Sequence, residues 1–206
     1  SLRLFLESTQ LQSTTGADGD KITYSNNALY KNRKVPYACD YADGDINVQP
    51  AGSDHGTHVS GTVAGYAESE EGEILFSGVA PDAQILAMKV FPDSDSGAPE
   101  TAILNALEDA ASLGADVVNL SLGSDNGFAE DDAAANEAYA RLQETGIIFM
   151  TSAGNAAYSS ANNQYGGYPL VSDPEISMMS APAVYSSNLS VASIDNTIAA
   201  QSVLVW

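Results

Sequence analysis

The chain is poor in cysteine, histidine and basic residues, and each shortage excludes a class of protein. Cys39 is the only cysteine among 206 residues, so neither an internal disulfide nor a cysteine-rich zinc site is expected. The two histidines, His55 and His58, lack the His-Glu-x-x-His pattern of helical zinc sites. A Gly-x-Gly-x-x-Gly sequence is also missing, which argues against an α/β domain that binds a dinucleotide.

Acidic residues dominate the charge of the chain. The chain has seven basic and 27 acidic residues, and its formal net charge at pH 7 is −20. Such a chain repels nucleic-acid phosphates and anionic membrane surfaces, so we expect neither nucleic acid nor a membrane as a partner. No apolar run approaches the length of a transmembrane helix, so we expect no membrane insertion by this segment. An extracellular or salt-adapted protein fits this composition.

Strand and helix patterns alternate from residue 55 onward, which is typical of an α/β domain. This spacing implies right-handed crossovers and predicts a mostly parallel sheet flanked by helices on both faces, within a single domain over residues 1–206. Gly114 is expected to end the second helix as a C-cap. The predicted helices cover residues 55–67, 100–113 and 129–144, and the predicted strands cover residues 35–41, 84–91, 116–122, 147–152 and 188–194.

Two predicted strands end in small residues, which leave room for another backbone to approach. One ends in Ser121-Leu122-Gly123, and the other ends in Ser152-Ala153-Gly154-Asn155. In parallel sheets, functional groups gather at the carboxyl ends of the strands. For Asn155 alone, an ordinary Gly-Asn turn explains the sequence equally well.

A histidine opens a predicted helix of small residues, where its ring is accessible enough to serve as a general base. Small residues at positions 56, 61, 64 and 65 predict that this helix packs closely. The helix begins with the run His55-Gly56-Thr57-His58-Val59-Ser60-Gly61-Thr62. Over these eight consecutive positions the sequence resembles the histidine signature of the subtilisin-like serine proteases, or subtilases, His-Gly-Thr-His-Val-Ala/Ser-Gly-Thr.

The resemblance implies roles for particular residues in a serine endopeptidase. It implies His55 as the catalytic base, with His58 as a structural companion, and Asn155 as the donor to the oxyanion. It implies Ser96-Gly97 as an edge on which the peptide substrate pairs as an added strand. The implied walls of the main specificity pocket are Ser121, Leu122 and Gly123 on one side and Ser152, Ala153 and Gly154 on the other.

Within that family the sequence is most similar to the cell-envelope proteinases of the lactocepin type. Lys34-Val35-Pro36-Tyr37 and Met88-Lys89-Val90-Phe91 carry this likeness. It implies a large multidomain protein that is secreted or attached to the cell envelope, and that acts on protein or peptide substrates. It also implies that a protease-associated domain follows in the parent chain.

Two members of the expected Asp/His/Ser triad have no convincing match. No Asp-Ser/Thr-Gly sequence at a strand end precedes His55, and Gly-Thr-Ser-Met-Ala is absent. Ser177 and Ser180 lie in a Ser-Met-Met-Ser run that lacks the preceding Gly-Thr, so it fits better as a connection before the last strand. We therefore expect a partial catalytic domain, inactive alone, with the aspartate upstream of Ser1 and the serine downstream of Trp206.

Two alternatives to a peptidase stay open from the sequence. A degenerate subtilase-like domain would bind peptides without cutting them, and an unrelated α/β ligand-binding domain ranks last because a phosphate loop is missing. The chemistry requires no cofactor, although the family resemblance makes structural calcium a possibility. Asp93-Ser94-Asp95 and Asp125-Asn126 are the candidate calcium stretches, with solvated acidic turns as the simpler interpretation.

Overall fold

Parallel strand pairing dominates the computed structural model, which describes residues 26–94, 97–124, 133–155 and 179–193. Helices and strands alternate along these residues, apart from one antiparallel hairpin. None of the described helices combines the length and the apolarity needed to cross a bilayer. The helices are α1 Asn26–Leu29, α2 His55–Ala64, α3 Glu100–Ser112 and α4 Ala133–Gln143. The strands are β1 Tyr37–Asp40, β2 Tyr66–Glu68, β3 Ile74–Ser77, β4 Leu86–Lys89, β5 Val117–Leu120, β6 Ile148–Ser152 and β7 Asn188–Val191.

The parallel strands form two sheets among the described residues. Strand β1 pairs with β4, with Tyr37 opposite Leu86. Strand β6 lies between β5 and β7 in a three-stranded sheet, with Val117 opposite Ile148. Parallel neighbours need a crossover connection, and α4 supplies it between β5 and β6. The predicted α/β class with a mostly parallel sheet is confirmed.

Helix α3 packs against both sheets and so joins them. Its residues Ala102 and Ala106 lie in a first core cluster with β1, and its Leu107 lies in a second cluster with β5 and β6. Alanines on this helix let it approach both sheets closely. The first cluster contains Leu29, Tyr37, Cys39, Tyr41, Ala102, Ala106 and Leu113, and the second contains Leu107, Leu120, Ala135, Tyr139, Ile147, Phe149 and Tyr185.

The three-stranded sheet has one covered face and one open face within the described part of the chain. Leu120 and Phe149 point to the covered face and belong to the second core cluster. Side chains alternate between faces along a strand. The neighbouring positions therefore point the other way, and Val117, Ile148 and Leu189 are 54%, 47% and 57% exposed.

The predicted boundaries are close for the strands and wrong for the first helix. The helix predicted over residues 55–67 ends at Ala64, because Gly65 takes an extended conformation and the chain enters an antiparallel hairpin. This hairpin, β2 with β3, was not predicted, since its turn holds no Asn-Gly or Asp-Gly pair. The bond from the Ser69 N–H to the Glu73 carbonyl, 2.8 Å, closes the turn.

The remaining elements agree with their predictions within a few residues. Helix α3 ends at Ser112, and Gly114 has a φ of 72°, so the predicted C-cap is confirmed. The predicted edge strand at 35–41 is β1, which pairs only with β4 among the described residues but is fully buried. The helix predicted over residues 129–144 has its start outside the described residues. The strand predicted over residues 188–194 has its end outside them.

A buried carboxylate ties α3 to β1. The Tyr41 hydroxyl donates to Asp109 Oδ2 at 2.7 Å and also lies 2.7 Å from the Tyr37 hydroxyl. Burial raises the pKa of both tyrosines, so both remain neutral donors. The thiol of Cys39 lies in the same core, where burial raises its pKa to about 12.

We expect Tyr41→Phe to lower the free energy of unfolding by about 1–3 kcal/mol, because a buried carboxylate loses a donor. Urea denaturation of the 206-residue chain measures this loss. Tyr66→Phe is the matched control, since Tyr66 also donates to a carboxylate, that of Glu68, but both are exposed. The control should stay within about 0.5 kcal/mol of the parent. Equal losses in the two variants would contradict a special role for the buried bond.

Candidate active site

His55 is the first residue of α2, and its side chain is exposed. The preceding residue, Asp54, occupies the N-cap position but makes no capping bond with its side chain. The His58 N–H donates to the Asp54 carbonyl at 3.0 Å, which closes the first turn of the helix. A helix therefore fixes the backbone of His55 while its ring stays open to a ligand, as a general base requires.

The opposite end of α2 is held by the segment 78–80. The Gly78 N–H donates to the Gly65 carbonyl at 2.7 Å, and the Val79 N–H donates to the Thr62 carbonyl at 3.0 Å. A Cβ at Gly78 would lie 2.8 Å from the Gly61 carbonyl oxygen, so no other residue fits there. The predicted close packing is confirmed at Gly65, but neither Gly56 nor Gly61 has a neighbour within 4 Å of an added Cβ among the described residues.

The two small-residue segments predicted as pocket walls lie at the ends of neighbouring strands. Ser121–Gly123 follows β5, and Ser152–Gly154 covers the last residue of β6 and the two residues after it. Strands β5 and β6 are parallel and paired, so both segments leave the sheet at its carboxyl edge. This is the edge at which parallel sheets carry their functional groups.

The segment Ser180-Ala181 lies against both walls, and it bonds to Ser124, which follows the first wall, and to Ala153 of the second. Ser124 and Ala181 exchange two backbone hydrogen bonds of 2.9 and 3.0 Å, and the Ser180 N–H donates to the Ala153 carbonyl at 3.0 Å. The predicted approach of another backbone is thus found here. Ser180 itself is 2% exposed, and so buried a hydroxyl is poorly placed to attack a substrate.

Glycine is required at the two wall positions that the Ser180-Ala181 segment approaches most closely. A Cβ at Gly123 would lie 2.8 Å from the Ala181 carbonyl oxygen. Gly154 has a φ of 102°, in the left-handed region that favours glycine, and an added Cβ would overlap Ser180 Oγ. The turn at Gly154 directs the chain into Asn155, whose side chain is exposed.

The structure brings together only some of the predicted site residues. The two walls and Asn155 lie at one sheet edge, whereas no hydrogen bond or ion pair among the described residues joins α2 to them. Gly97 is exposed in the segment before α3. Ser96 and Ser177 lie outside the described residues, as do Asp95, Asp125 and Asn126 of the candidate calcium stretches.

A lysine occupies the centre of an acidic cluster at the ends of β1 and β4. Lys89 Nζ lies 3.1 Å from Asp43 and 2.9 Å from Asp93, and it also contacts the buried Asp40. The three carboxylates lie close enough together to hold a metal ion. The ammonium of Lys89 already supplies the positive charge that they share. Asp93 of the predicted calcium stretch is therefore part of an ion-pair network.

Contacts within the cluster shift the pKa of Lys89 and that of Asp43. Partial burial opposes the charge on Lys89, but hydrogen bonds to its three aspartates outweigh it and raise its pKa. The Asp93 N–H donates to Asp43 Oδ2 at 2.8 Å, and this bond, with that from Lys89, lowers the pKa of Asp43. Sequence reasoning missed this network, although Lys89 is the only basic residue between positions 35 and 140.

Comparison with known proteins gives one family. A family model described as the subtilase family, Peptidase_S8, matches residues 15–203. The PI-type proteinase of Lactococcus lactis subsp. cremoris is 36% identical over 193 residues, covering 89% of this chain and 10% of the relative. The C5a peptidase of Streptococcus pyogenes is 35% identical over 180 residues, covering 84% of this chain and 14% of the relative.

The solved structures that match confirm the fold. A mutant of the protease domain of PatA superposes with a TM-score of 0.56 at 21% identity, covering 77% of this chain and 51% of that one. At this identity the likeness concerns the fold alone. The chain spans about a tenth of the length of the first relatives it matches.

We expect Gly154→Ala to lower the free energy of unfolding more than Gly146→Ala. Both glycines have a positive φ, 102° and 99°, so both variants strain the backbone by roughly 1–3 kcal/mol. Among the described residues, only the Cβ at position 154 meets a neighbour, since position 146 has none within 4 Å. Urea denaturation compares the two, and equal losses would mean that the Ser180 contact does not constrain the wall.

We expect Lys89→Gln to lower stability at neutral pH by roughly 3 kcal/mol, because Asp40 stays buried without its cation. The lowered pKa of Asp43 contributes stability that is present above pH 4, roughly its unfolded pKa, and is lost as the pH falls through the folded value. The variant should therefore lose stability less steeply in acid than the parent. Some slope remains, because the Asp93 N–H still bonds to Asp43.

Unfolding midpoints measured from about pH 3 to pH 9 test this expectation. Arg141→Gln is the control, because Arg141 pairs with Glu137 at the surface, where both side chains are more than 60% exposed. It should cost at most about 1 kcal/mol and leave the acid slope unchanged. An Arg141→Gln effect as large as that of Lys89→Gln would refute the importance of the buried cluster.

Proposed function

The chain belongs to the subtilase family, and from this membership we propose that it forms part of the catalytic domain of a serine endopeptidase. The observation that carries the proposal is His55, exposed at the first position of α2 inside the segment that the family model matches. A base fixed by a helix and open to solvent suits proton transfer to and from a substrate.

In the proposed reaction a serine attacks the peptide carbonyl, and His55 accepts its proton and later gives it to the leaving amine. An aspartate orients the imidazole, and the side-chain amide of Asn155 donates a hydrogen bond to the developing oxyanion. The exposed position of Asn155 after the Gly154 turn supports this role. Among the described residues, the His55 N–H donates to Ser53 Oγ at 3.4 Å, but no hydrogen bond joins a serine or aspartate side chain to the His55 imidazole.

Substrate binding is proposed on the three segments identified from the sequence. The walls Ser121–Gly123 and Ser152–Gly154 would hold one side chain of the substrate between them, and Ser96-Gly97 would pair with its backbone. The backbone bonds of the Ser180-Ala181 segment to Ser124 and Ala153 support a pre-formed pocket. Protein or peptide chains are the proposed substrates.

The chemistry proposed here uses no cofactor, and calcium would serve only as structural support. Lys89 argues against a cation at Asp40, Asp43 and Asp93, because a metal ion would have to displace the ammonium. The parent protein is proposed to be secreted or attached to the cell envelope, with a protease-associated domain following this segment. Residues 1–206 are proposed to form a partial catalytic domain that does not cleave peptides alone.

A fluorophosphonate probe tests the catalytic proposal, because it labels only a serine that a base has activated. We expect no labelling of the 206-residue chain and clear labelling of its longer parent protein. His55→Ala should abolish labelling of the parent, whereas His58→Ala, three residues along the same helix, should retain it if the protein still folds.

Two outcomes would overturn parts of this proposal. Labelling of the 206-residue chain that disappears in His55→Ala would place an active serine within residues 1–206, with Ser177 and Ser180 as the first residues to substitute. A folded parent that is not labelled but still binds peptides would instead indicate a degenerate, non-catalytic domain.

A further inference from the structure

The hairpin of β2 and β3 exposes large apolar side chains on both of its faces. Ile74, Leu75 and Phe76 follow one another on β3 and are 64%, 67% and 49% exposed. Tyr66 on β2 is 48% exposed, and none of these residues belongs to either core cluster. We call residues 66–77 the acidic hairpin, because carboxylates surround this apolar strand.

Four glutamates lie on the acidic hairpin, namely Glu68, Glu70, Glu71 and Glu73. All four are exposed. Every ion pair recorded among the described residues involves Lys89 or Arg141, so none of these glutamates has a basic partner there. The hairpin therefore combines an apolar strand with a negative charge that the described chain does not neutralise.

The base of the acidic hairpin is fixed to the histidine helix. The ring of Phe76 covers Gly65, where an added Cβ would lie 2.8 Å from the ring edge. The backbone bonds from Gly78 to Gly65 and from Val79 to Thr62 hold the following residues against the end of α2. Helix α2 has ten residues. At 1.5 Å per residue, the hairpin begins roughly 15 Å from His55 along the helix.

An exposed apolar strand with an open edge binds other chains unless something prevents it. Neither β2 nor β3 pairs with a third strand among the described residues. A second copy of the hairpin would bring eight glutamates together, since each carries four, and like charges would oppose that contact. A basic segment would gain both the apolar contact and the charge pairing.

We propose that the acidic hairpin binds an extended segment of the protein substrate that carries apolar and basic side chains. The segment pairs with the open edge of β3, where its apolar side chains cover Ile74 and Leu75 and its lysines or arginines meet the glutamates. The identity of this segment as substrate rests on the proposed peptidase function. Bound roughly 15 Å from His55, it adds affinity without touching the reacting bond.

Binding of a labelled peptide of about ten residues, alternating lysine and valine, tests the proposal by fluorescence anisotropy. We expect it to bind the 206-residue chain, and a peptide with glutamate in place of lysine not to bind. Raising the salt concentration from about 0.05 to 0.5 M should weaken binding, because the charge pairs are exposed.

Two triple variants with the same change in net charge locate the site. Glu70→Gln, Glu71→Gln and Glu73→Gln together should weaken binding roughly tenfold. Glu100→Gln, Glu108→Gln and Glu144→Gln together remove three exposed glutamates elsewhere and should leave it unchanged. Equal weakening by both triples would overturn the proposal in favour of a general effect of the acidic surface.

The apolar contribution is tested by Leu75→Ser against Leu189→Ser, which changes another leucine that is more than half exposed, on β7. Only the first should weaken binding, and the glutamate variants decide the matter if Leu75→Ser disturbs the hairpin. A concentration-dependent dimer, seen by sedimentation and lost in Leu75→Ser, would overturn the proposal in favour of a second copy. Binding of the peptide requires no catalysis. A negative result here is therefore distinguishable from a negative result with the fluorophosphonate probe, which would concern the proposed peptidase function.

Discussion

The packing of α3 against two sheets is the constraint on which the described structure depends. Ala102 and Ala106 contact the β1–β4 sheet, while Leu107 contacts β5 and β6. A bulkier residue at either alanine would force the helix away from one sheet, and the two sheets would lose their common support. The bond of Asp109 to Tyr41 acts at the same junction, so the helix is held by polar as well as apolar contacts.

The position of the candidate site follows from this arrangement. Parallel pairing sends the ends of β5 and β6 to one edge, and the Ser180-Ala181 segment then fixes the two small-residue walls by backbone bonds. Only glycine at positions 123 and 154 allows so close an approach. Small residues at these strand ends are therefore required by packing alone, independently of any ligand.

Periodicity and motif predicted the helices, the parallel strands and the position of His55 at the start of α2, because each depends on local sequence. The features that were missed depend on residues far apart in the chain. Lys89 meets Asp40 and Asp43 only because β1 pairs with β4. The end of α2 at Ala64 depends on the pairing of β2 with β3, which no turn motif in the sequence predicted. Gly65 was read as part of a close-packed helix, although glycine also favours a helix end.

Three of the seven basic residues, Lys31, Lys34 and Lys89, make contacts within the described part of the fold, and this leaves few cations for the acidic surface. Lys89 is surrounded by carboxylates, while Lys34 and Lys31 donate to backbone carbonyls of Ala83 and Ile46. Each ammonium that stabilises an internal contact is unavailable to the surface glutamates. Because the acidic hairpin also carries exposed apolar residues, its charge does more than keep the chain soluble. It decides which partner can cover that strand, excluding another acidic copy and admitting a basic segment.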